Sequence, residues 1–335
     1  MKRVTFLGSG GFATSLAIHL ARGNRACVIW GKDSDYCNAM AVSRVNGRHL
    51  PGVPIPDSVL ITADFQKAIA DCDLLIASTP TAYLRQTLDR VAIHVPDSLP
   101  VLSLVKGLER ETLKRPSQIV EDVLGSRRVA VLSGPSHAEE VAQGRPTSLV
   151  ISSESEDLAE TVQKFFGFGP LRLYRNDDPT GVELAGALKN IMGIAAGLCD
   201  GLDLGDNAKA ALLSRGLIEM TRFAVAHGAQ ARTFFGLAGV GDLMTTCFSG
   251  HGRNRSLGRW LATGMTLDQI TKSTTHVFEG AFTTFSVADS ARRCQIPMPI
   301  TEAVENILTG SLEPWQAVKN LMNRPSGSEY DDLDF

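Results

Sequence analysis

Several short stretches hold residues whose types and spacing suit chemistry. GSGGFA, from Gly8 to Ala13, fits G-x-G-x-x-A. There Gly8 makes a tight turn, Gly10 lets a pyrophosphate approach the backbone, and Ala13 is small enough for helix–strand packing. A helix opening at that point offers amides and partial positive charge to phosphate. In VIWGKD, Lys32 lies just beyond the site where dinucleotide-binding sheets place a ribose-binding acid. A cation suits the 2′-phosphate of NADP; Asp33 would reach a ribose instead, and Lys32 can equally be a solvated lysine. Lys106 in LVKGLE follows an apolar run, where it faces a ligand or pairs with Glu109. In LSGPSHAEEVAQG, Gly134 allows close approach, and Ser136 with Glu139 has the spacing of an S-x-x-E capping box. A helix capped there would present its amides to a ligand. Asp242 in GVGDLMTTC sits among glycine and apolar residues, an unusual setting for a solvated carboxylate. In HGRNRSLG, Arg253–Asn254–Arg255 offers guanidinium forks to a phosphate at a helix start, or forms a solvated turn. VELAGALKNIMGIAAG, from Val182, places Lys189 and Asn190 inside an apolar helical pattern that also contains Gly186, Gly193 and Gly197. Each helical glycine costs about 1 kcal/mol relative to alanine, and a lysine buried unpaired costs more.

The elements that must position these residues alternate in the first half. VTFLG, ACVIWG, DLLIAST, PVLSLV, RVAVLSG, TSLVISS and LRLYRN read as strands, with helical segments between them. Their apolar runs are continuous, as in strands of a parallel sheet buried on both faces. The expectation is a doubly wound, mostly parallel α/β sheet of Rossmann type. Ligands of such sheets bind beyond the carboxyl ends of the strands, where the glycine loop, Lys32, Lys106 and Ser136 all fall. NDDPTG, dense in turn residues, divides the chain. Expected domains are 1–179 for the sheet, 180–325 for an all-α domain, and 326–335 for an acidic, flexible tail.

The 335 residues exceed what one core usually supports, in keeping with two domains. With 44% hydrophobic and 21% charged residues, the composition is that of a globular protein, and the net charge of −3 offers no field for nucleic acid. MKRVTFLGSGG lacks the pattern of a signal peptide, and no run of about 18 apolar residues suggests a membrane span. Six scattered cysteines without CxxC spacing suggest buried thiols in a cytoplasmic protein. His137, His251 and His276 have no ligand spacing, so no metal is expected. A G-x-S-x-G nucleophile elbow is also missing from the sequence.

Taken together, GSGGFATSLA, NGRHLPGVPIP, STPTAYLR, LVKGLE, LSGPSHAEEVAQGRPT, GVELAGALKNIMGIAAGL, AGVGDLMTTC, GRNRSLG and VFEGAFTT resemble one family. It is the bacterial-type NAD(P)-dependent glycerol-3-phosphate dehydrogenases, and the segments run in family order from Val4 to about Pro299. The resemblance implies a Rossmann domain followed by a helical domain. It implies reversible reduction of dihydroxyacetone phosphate to sn-glycerol 3-phosphate, feeding phospholipid synthesis. NADPH is implied as the preferred cofactor with NADH possible, and a cytoplasmic homodimer as the assembly. Lys189 becomes the catalytic acid/base, with Lys106 and Asp242 assisting. The resemblance also implies that Lys106, Gly134, Ser136, Lys189, Asp242, Arg253 and Asn254 surround the substrate, with Gly252 at the same turn and Asn190 beside Lys189. Gly8, Gly10, Gly11, Phe12, Lys32, Lys106, Ala138, Arg253, Val277 and Glu279 meet the cofactor. Two positions depart from the family pattern. Gly252 stands where a serine is common, so a hydroxyl for the phosphate is missing. Gly11 stands where Ser or Ala is usual.

Gly186, Lys189, Asn190, Gly193 and Gly197 share one helix face by spacing. The glycines are therefore expected to clear a groove into which Lys189 and Asn190 point; the alternative is that they let another helix approach. Two neighbouring readings compete. A 2-hydroxyacid or ketopantoate type of reductase would take a carboxylate in place of the phosphate. A nucleotide-binding sensor would have no use for an acid/base lysine.

Overall fold

A computed structural model describes residues 1–250, 252–274 and 277–329. His251 and His276 lie outside them, as does most of the acidic end expected to be flexible. The chain forms two compact units. One comprises Met1–Lys106 and Pro116–Pro179, the other Gly107–Arg115 and the described residues from Thr180 onward.

The first unit alternates strands and helices: β1 (Arg3–Leu7), α1 (Gly11–Arg22), β2 (Ala26–Trp30), α2 (Ser34–Ser43), β3 (Val45–Asn46), β4 (Leu50–Pro54), β5 (Leu60–Thr62), α3 (Phe65–Ile69), β6 (Leu74–Ala77) and α4 (Thr81–Val91). It continues with β7 (Val101–Ser103), α5 (Pro116–Leu124), β8 (Val129–Ser133), α6 (Ala138–Gln143), β9 (Thr147–Ser153), α7 (Glu156–Phe166) and β10 (Leu171–Asn176). Eight strands make one sheet in the order β10-β9-β8-β7-β6-β1-β2-β5, and all neighbours are parallel except β8 and β9. Continuous apolar runs suit this sheet because both faces are covered. Val4 and Phe6 of β1 point into one apolar cluster with Leu16 and Leu20 of α1. Leu7 points into the other, with Leu84 and Leu88 of α4. Each such buried side chain stabilises the fold by about 1.5–3 kcal/mol. The mostly parallel Rossmann-type sheet matches the expectation. Strand β5 and the separate antiparallel hairpin β3–β4 are additions to it.

Among its described residues the second unit has helices and no strand, with Gly107–Arg115 as irregular chain. It contains α8 (Pro179–Gly201), α9 (Gly205–Ala226), α10 (Ala231–Phe234), a π-helical turn at Leu237–Gly241, α11 (Asp242–Phe248) and α12 (Arg253–Ala262). It ends with α13 (Leu267–Ser273), α14 (Glu279–Cys294), α15 (Pro299–Leu308) and α16 (Pro314–Met322). Helix α8 is long and apolar enough to cross a membrane by length and composition, which the absence of a long apolar run did not signal. Its most apolar window is 94% buried in protein, as expected of a core helix. The segment Gly107–Arg115 departs from a single cut after 179. Ser286 donates to the Arg110 carbonyl at 2.9 Å, and Arg115 pairs at 2.6 Å with the buried Glu183 of α8.

Candidate active site

In the sheet unit, the loop after β1 has the conformation its glycines were expected to supply. Gly8 has φ +130°, and a Cβ there would lie 3.1 Å from the hydroxyls of Ser78 and Thr79. Over Gly10 the nearest atom to a Cβ would be the Ser78 carbonyl oxygen at 4.0 Å, so this side of the loop is open. Helix α1 starts at Gly11 with no side-chain cap from Gly10. An open glycine turn at an uncapped helix start fits a pyrophosphate. At Gly11 a Cβ would lie 2.5 Å from the His49 carbonyl oxygen, a clash that accounts for glycine at this position. The same point is 3.5 Å from Ala138, which opens α6, and Phe12 packs half-buried against the core. Lys32 is exposed, its ammonium 5.5 Å from the Tyr83 ring centroid.

Lys106 donates to the Gly134 carbonyl at 2.9 Å and to the Ser136 hydroxyl at 3.3 Å. Ser136 itself donates to the Gly134 carbonyl at 2.9 Å. Gly134 has φ +120°, which favours glycine. These bonds correct the capping-box reading. The N-cap of α6 is His137, so Glu140 rather than Glu139 stands third in the helix. The Ser136 hydroxyl is engaged with Gly134 and Lys106.

In the helical unit, Lys189 and Asp242 are 7% and 1% exposed. Lys189 donates to the Asp242 carboxylate at 2.6 Å and to the Thr246 hydroxyl at 2.8 Å. Asp242 and Thr246 are four apart on α11, so one helix face presents both to the ammonium. Thr246 escaped the sequence reading; its spacing from Asp242 was the available signal. The π-helical turn before α11 depends on Gly239, where a Cβ would lie 2.1 Å from the Phe234 carbonyl oxygen.

The glycine stripe of α8 does something other than clear a groove. A Cβ on Gly193 would lie 2.9 Å from a Thr246 methyl and 3.5 Å from the Asn254 Cβ. A Cβ on Gly197 would lie 2.0 Å from the Arg255 carbonyl oxygen, and one on Gly258 would lie 2.0 Å from that of Ile194. Helix α12 fills the space, so close helix approach is the correct reading for Gly193 and Gly197. The approach sets Asn254 beside α8. The Asn254 side-chain oxygen accepts from the Gly280 amide at 3.2 Å, just inside α14, which begins at Glu279. A Cβ on Gly280 would lie 2.8 Å from the Asn190 carbonyl oxygen. Val277 is half-buried two residues before α14. Asn190 is buried and its amide reaches back 3.4 Å to the Gly186 carbonyl.

Gly252 is the N-cap of α12 and provides no side-chain cap. A Cβ there would sit 3.3 Å from the Thr246 carbonyl oxygen, so a serine would need its neighbours to yield slightly. Arg253, the first residue of α12, is exposed, whereas Arg255 is buried. Arg255 pairs with Asp200 and donates to the Phe248 and Ser249 carbonyls at 2.8 and 2.7 Å. Of the two arginines, only Arg253 remains open to a ligand. The predicted residues thus fall into two sets. Gly8, Gly10, Gly11, Phe12, Lys32, Lys106, Gly134, Ser136 and Ala138 belong to the sheet unit. Lys189, Asn190, Asp242, Gly252, Arg253, Asn254, Val277 and Glu279 belong to the helical unit.

Comparison with known proteins follows the same division. The profile described as NAD-dependent glycerol-3-phosphate dehydrogenase N-terminus matches residues 3–159, and the one described as its C-terminus matches residues 178–319. An NAD(P)+ glycerol-3-phosphate dehydrogenase of Salinibacter ruber is 43% identical over 330 residues, covering 98% of this chain and 96% of that protein. One of Nitrosomonas eutropha is 41% identical over 329 residues, with coverage of 98% and 99%. The crystal structure of glycerol-3-phosphate dehydrogenase from Coxiella burnetii superposes with a TM-score of 0.92 at 34% identity, covering 96% of this chain and 99% of that one. A ketopantoate reductase of Ralstonia eutropha, at TM-score 0.60 and 15% identity, shares the fold alone.

Proposed function

Because this chain belongs to the NAD-dependent glycerol-3-phosphate dehydrogenase family, we propose that it reduces dihydroxyacetone phosphate reversibly to sn-glycerol 3-phosphate, with Lys189 as general acid/base. The observation that carries the proposal is the buried Lys189 ammonium held by Asp242 and Thr246. When bound, the reduced nicotinamide supplies hydride to the C2 carbonyl carbon. Negative charge then grows on the C2 oxygen. Lys189 stabilises that charge and gives the oxygen its proton. Asp242, 2.6 Å away, would hold the ammonium in position for that transfer. Thr246 fixes the direction of Nζ from the same helix face. In the reverse direction Lys189 takes the proton from the alcohol.

Arg253 and Asn254 at the start of α12 would hold the substrate phosphate, using the guanidinium fork and the helix amides. Binding energy from the phosphate, remote from C2, then fixes the reacting carbon. For Lys106, Gly134 and Ser136 the support is the family resemblance together with the bonds Lys106 makes to the other two. Glycine loop and uncapped α1 would receive the dinucleotide pyrophosphate, and NADPH is the proposed preference. Cytoplasmic location, homodimeric assembly and supply of glycerol 3-phosphate to phospholipid synthesis belong to the same proposal.

The test is a panel of initial rates. Dihydroxyacetone phosphate should be turned over with NADPH, and more slowly with NADH. Dihydroxyacetone, lacking the phosphate, should lose at least about a hundredfold in kcat/KM. Equal rates on the two ketones, or turnover of 2-keto acids in their place, would contradict the proposal.

A further inference from the structure

Asp33 lies just past the end of β2, near the position from which dinucleotide-binding sheets present a carboxylate to the adenosine ribose. Here that carboxylate is already engaged. One oxygen accepts from the Tyr36 amide at 3.0 Å, capping α2. The other accepts from Arg48 at 3.0 Å. The Tyr36 amide and then Arg48 hold its carboxyl below the usual range.

Arg48 comes from the turn between β3 and β4, and this turn is fastened to the glycine loop. Its amide donates to the Tyr36 hydroxyl at 3.0 Å, and the Tyr36 hydroxyl donates to the Asn46 side-chain oxygen at 2.6 Å. The fully buried Asn46 then donates to the Ser9 carbonyl at 2.8 Å and to the Thr14 hydroxyl at 2.7 Å. The neighbouring His49 carbonyl oxygen lies 2.5 Å from where a Gly11 Cβ would be, so the turn rests on the first turn of α1. On the other side, Gly31 touches Ser9: a Cβ there would be 3.3 Å from the Ser9 hydroxyl. Loop, end of β2 and hairpin turn therefore form one patch. Over it the Arg48 guanidinium lies 4.0 Å from the Tyr36 ring centroid, with its side chain 61% exposed. A guanidinium has five N–H donors in a rigid fork, so one edge can hold Asp33 while another takes a phosphate.

We propose that Arg48 determines the preference for NADP over NAD: Tyr36 and Asp33 aim its guanidinium at the 2′-phosphate, and Asp33 serves as its anchor in place of a ribose acceptor. The proposal rests on the reading of the chain as a nicotinamide-dinucleotide dehydrogenase. Lys32 is the alternative cation. It sits across the ring of Tyr83 and makes no fork.

The experiment is calorimetric titration of 2′,5′-ADP and of 5′-ADP into the full chain and its Arg48→Ala, Arg48→Lys and Lys32→Ala variants, alongside kcat/KM for NADPH and NADH. Arg48→Ala should weaken 2′,5′-ADP by at least about tenfold and leave 5′-ADP within about twofold. The NADPH-to-NADH ratio of kcat/KM should fall in step, and Arg48→Lys should recover part of both. Discrimination unchanged in Arg48→Ala, equal weakening of both nucleotides, or discrimination lost in Lys32→Ala alone would overturn the proposal. The titration needs no turnover. A wild type inactive on dihydroxyacetone phosphate with either cofactor would sink the enzymatic reading, while the nucleotide affinities would still decide the role of Arg48.

Discussion

At the scale of single residues, the centre of the site is a lysine that would be costly to bury alone and is not alone. Lys189 meets Asp242 and Thr246 within hydrogen-bond distance. Lys189 and Asp242 were legible in the sequence because each contradicts its apolar surroundings. Thr246 was not, because a threonine in a helix contradicts nothing. Thr246→Val should lower kcat about tenfold with little change in KM, and Thr246→Ser should restore most of it, as steady-state rates would show. Local pattern alone did not separate Arg253 from Arg255, although the family resemblance named Arg253. Burial does, since Arg255 is spent on Asp200 and two carbonyls. Arg253→Ala should raise KM for the phosphorylated ketone by about a hundredfold, as steady-state rates would show. An unchanged KM would return GRNR to a surface turn.

At the scale of elements, backbone contact between helices decides what glycines are for. Period and spacing placed Gly193 and Gly197 on the face that carries Lys189, and that much was readable. What lies opposite was not, because helix partners are set by tertiary packing rather than by local pattern. The crossing of α8 and α12 has no room for a methyl group at Gly197. Gly197→Ala should cost at least about 3 kcal/mol in denaturant unfolding, and should raise substrate KM as α12 shifts Asn254. Gly250→Ala, where a Cβ would meet nothing within 4 Å, should be neutral. The hairpin β3–β4 was hidden for a related reason. Its sequence NGRHLPGVP is rich in turn residues and shows no apolar alternation, and Asn46 ties it to Ser9 and Thr14. The supposed capping box at Ser136 shows the converse error: its hydroxyl donates to the Gly134 carbonyl and accepts from the distant Lys106 instead.

At the scale of the whole molecule, the division into a sheet unit and a helical unit follows from alternation giving way to long helical periods. The crossing back of Gly107–Arg115 follows from Arg115 and the Arg110 carbonyl finding partners in the helical unit. Stability of that unit should depend on pH through Glu219 of α9. This carboxylate is 2% exposed and accepts from the Ile300 and Thr301 amides at 2.8 Å and from the Thr301 hydroxyl at 2.7 Å, anchoring the start of α15. Burial pushes its pKa from 4.5 up to about 7, against the pull of those donors. The folded state therefore keeps a proton that the unfolded chain releases. The stability from this group is full below pH 4.5 and is lost as pH rises through about 7, on the order of 3 kcal/mol in all. Thermal unfolding across that window should show the decline in wild type and a flatter profile in Glu219→Gln. Identical slopes would exclude Glu219 as the source.

The central claim is that Lys189 moves the proton, and single-turnover rates of Lys189→Met test it most directly, with cofactor affinity measured on the same preparation. The chemistry should slow by at least about a thousandfold while cofactor affinity stays within about twofold of wild type. A folded Lys189→Met protein that turned over at near-normal rate would remove Lys189 from the reaction.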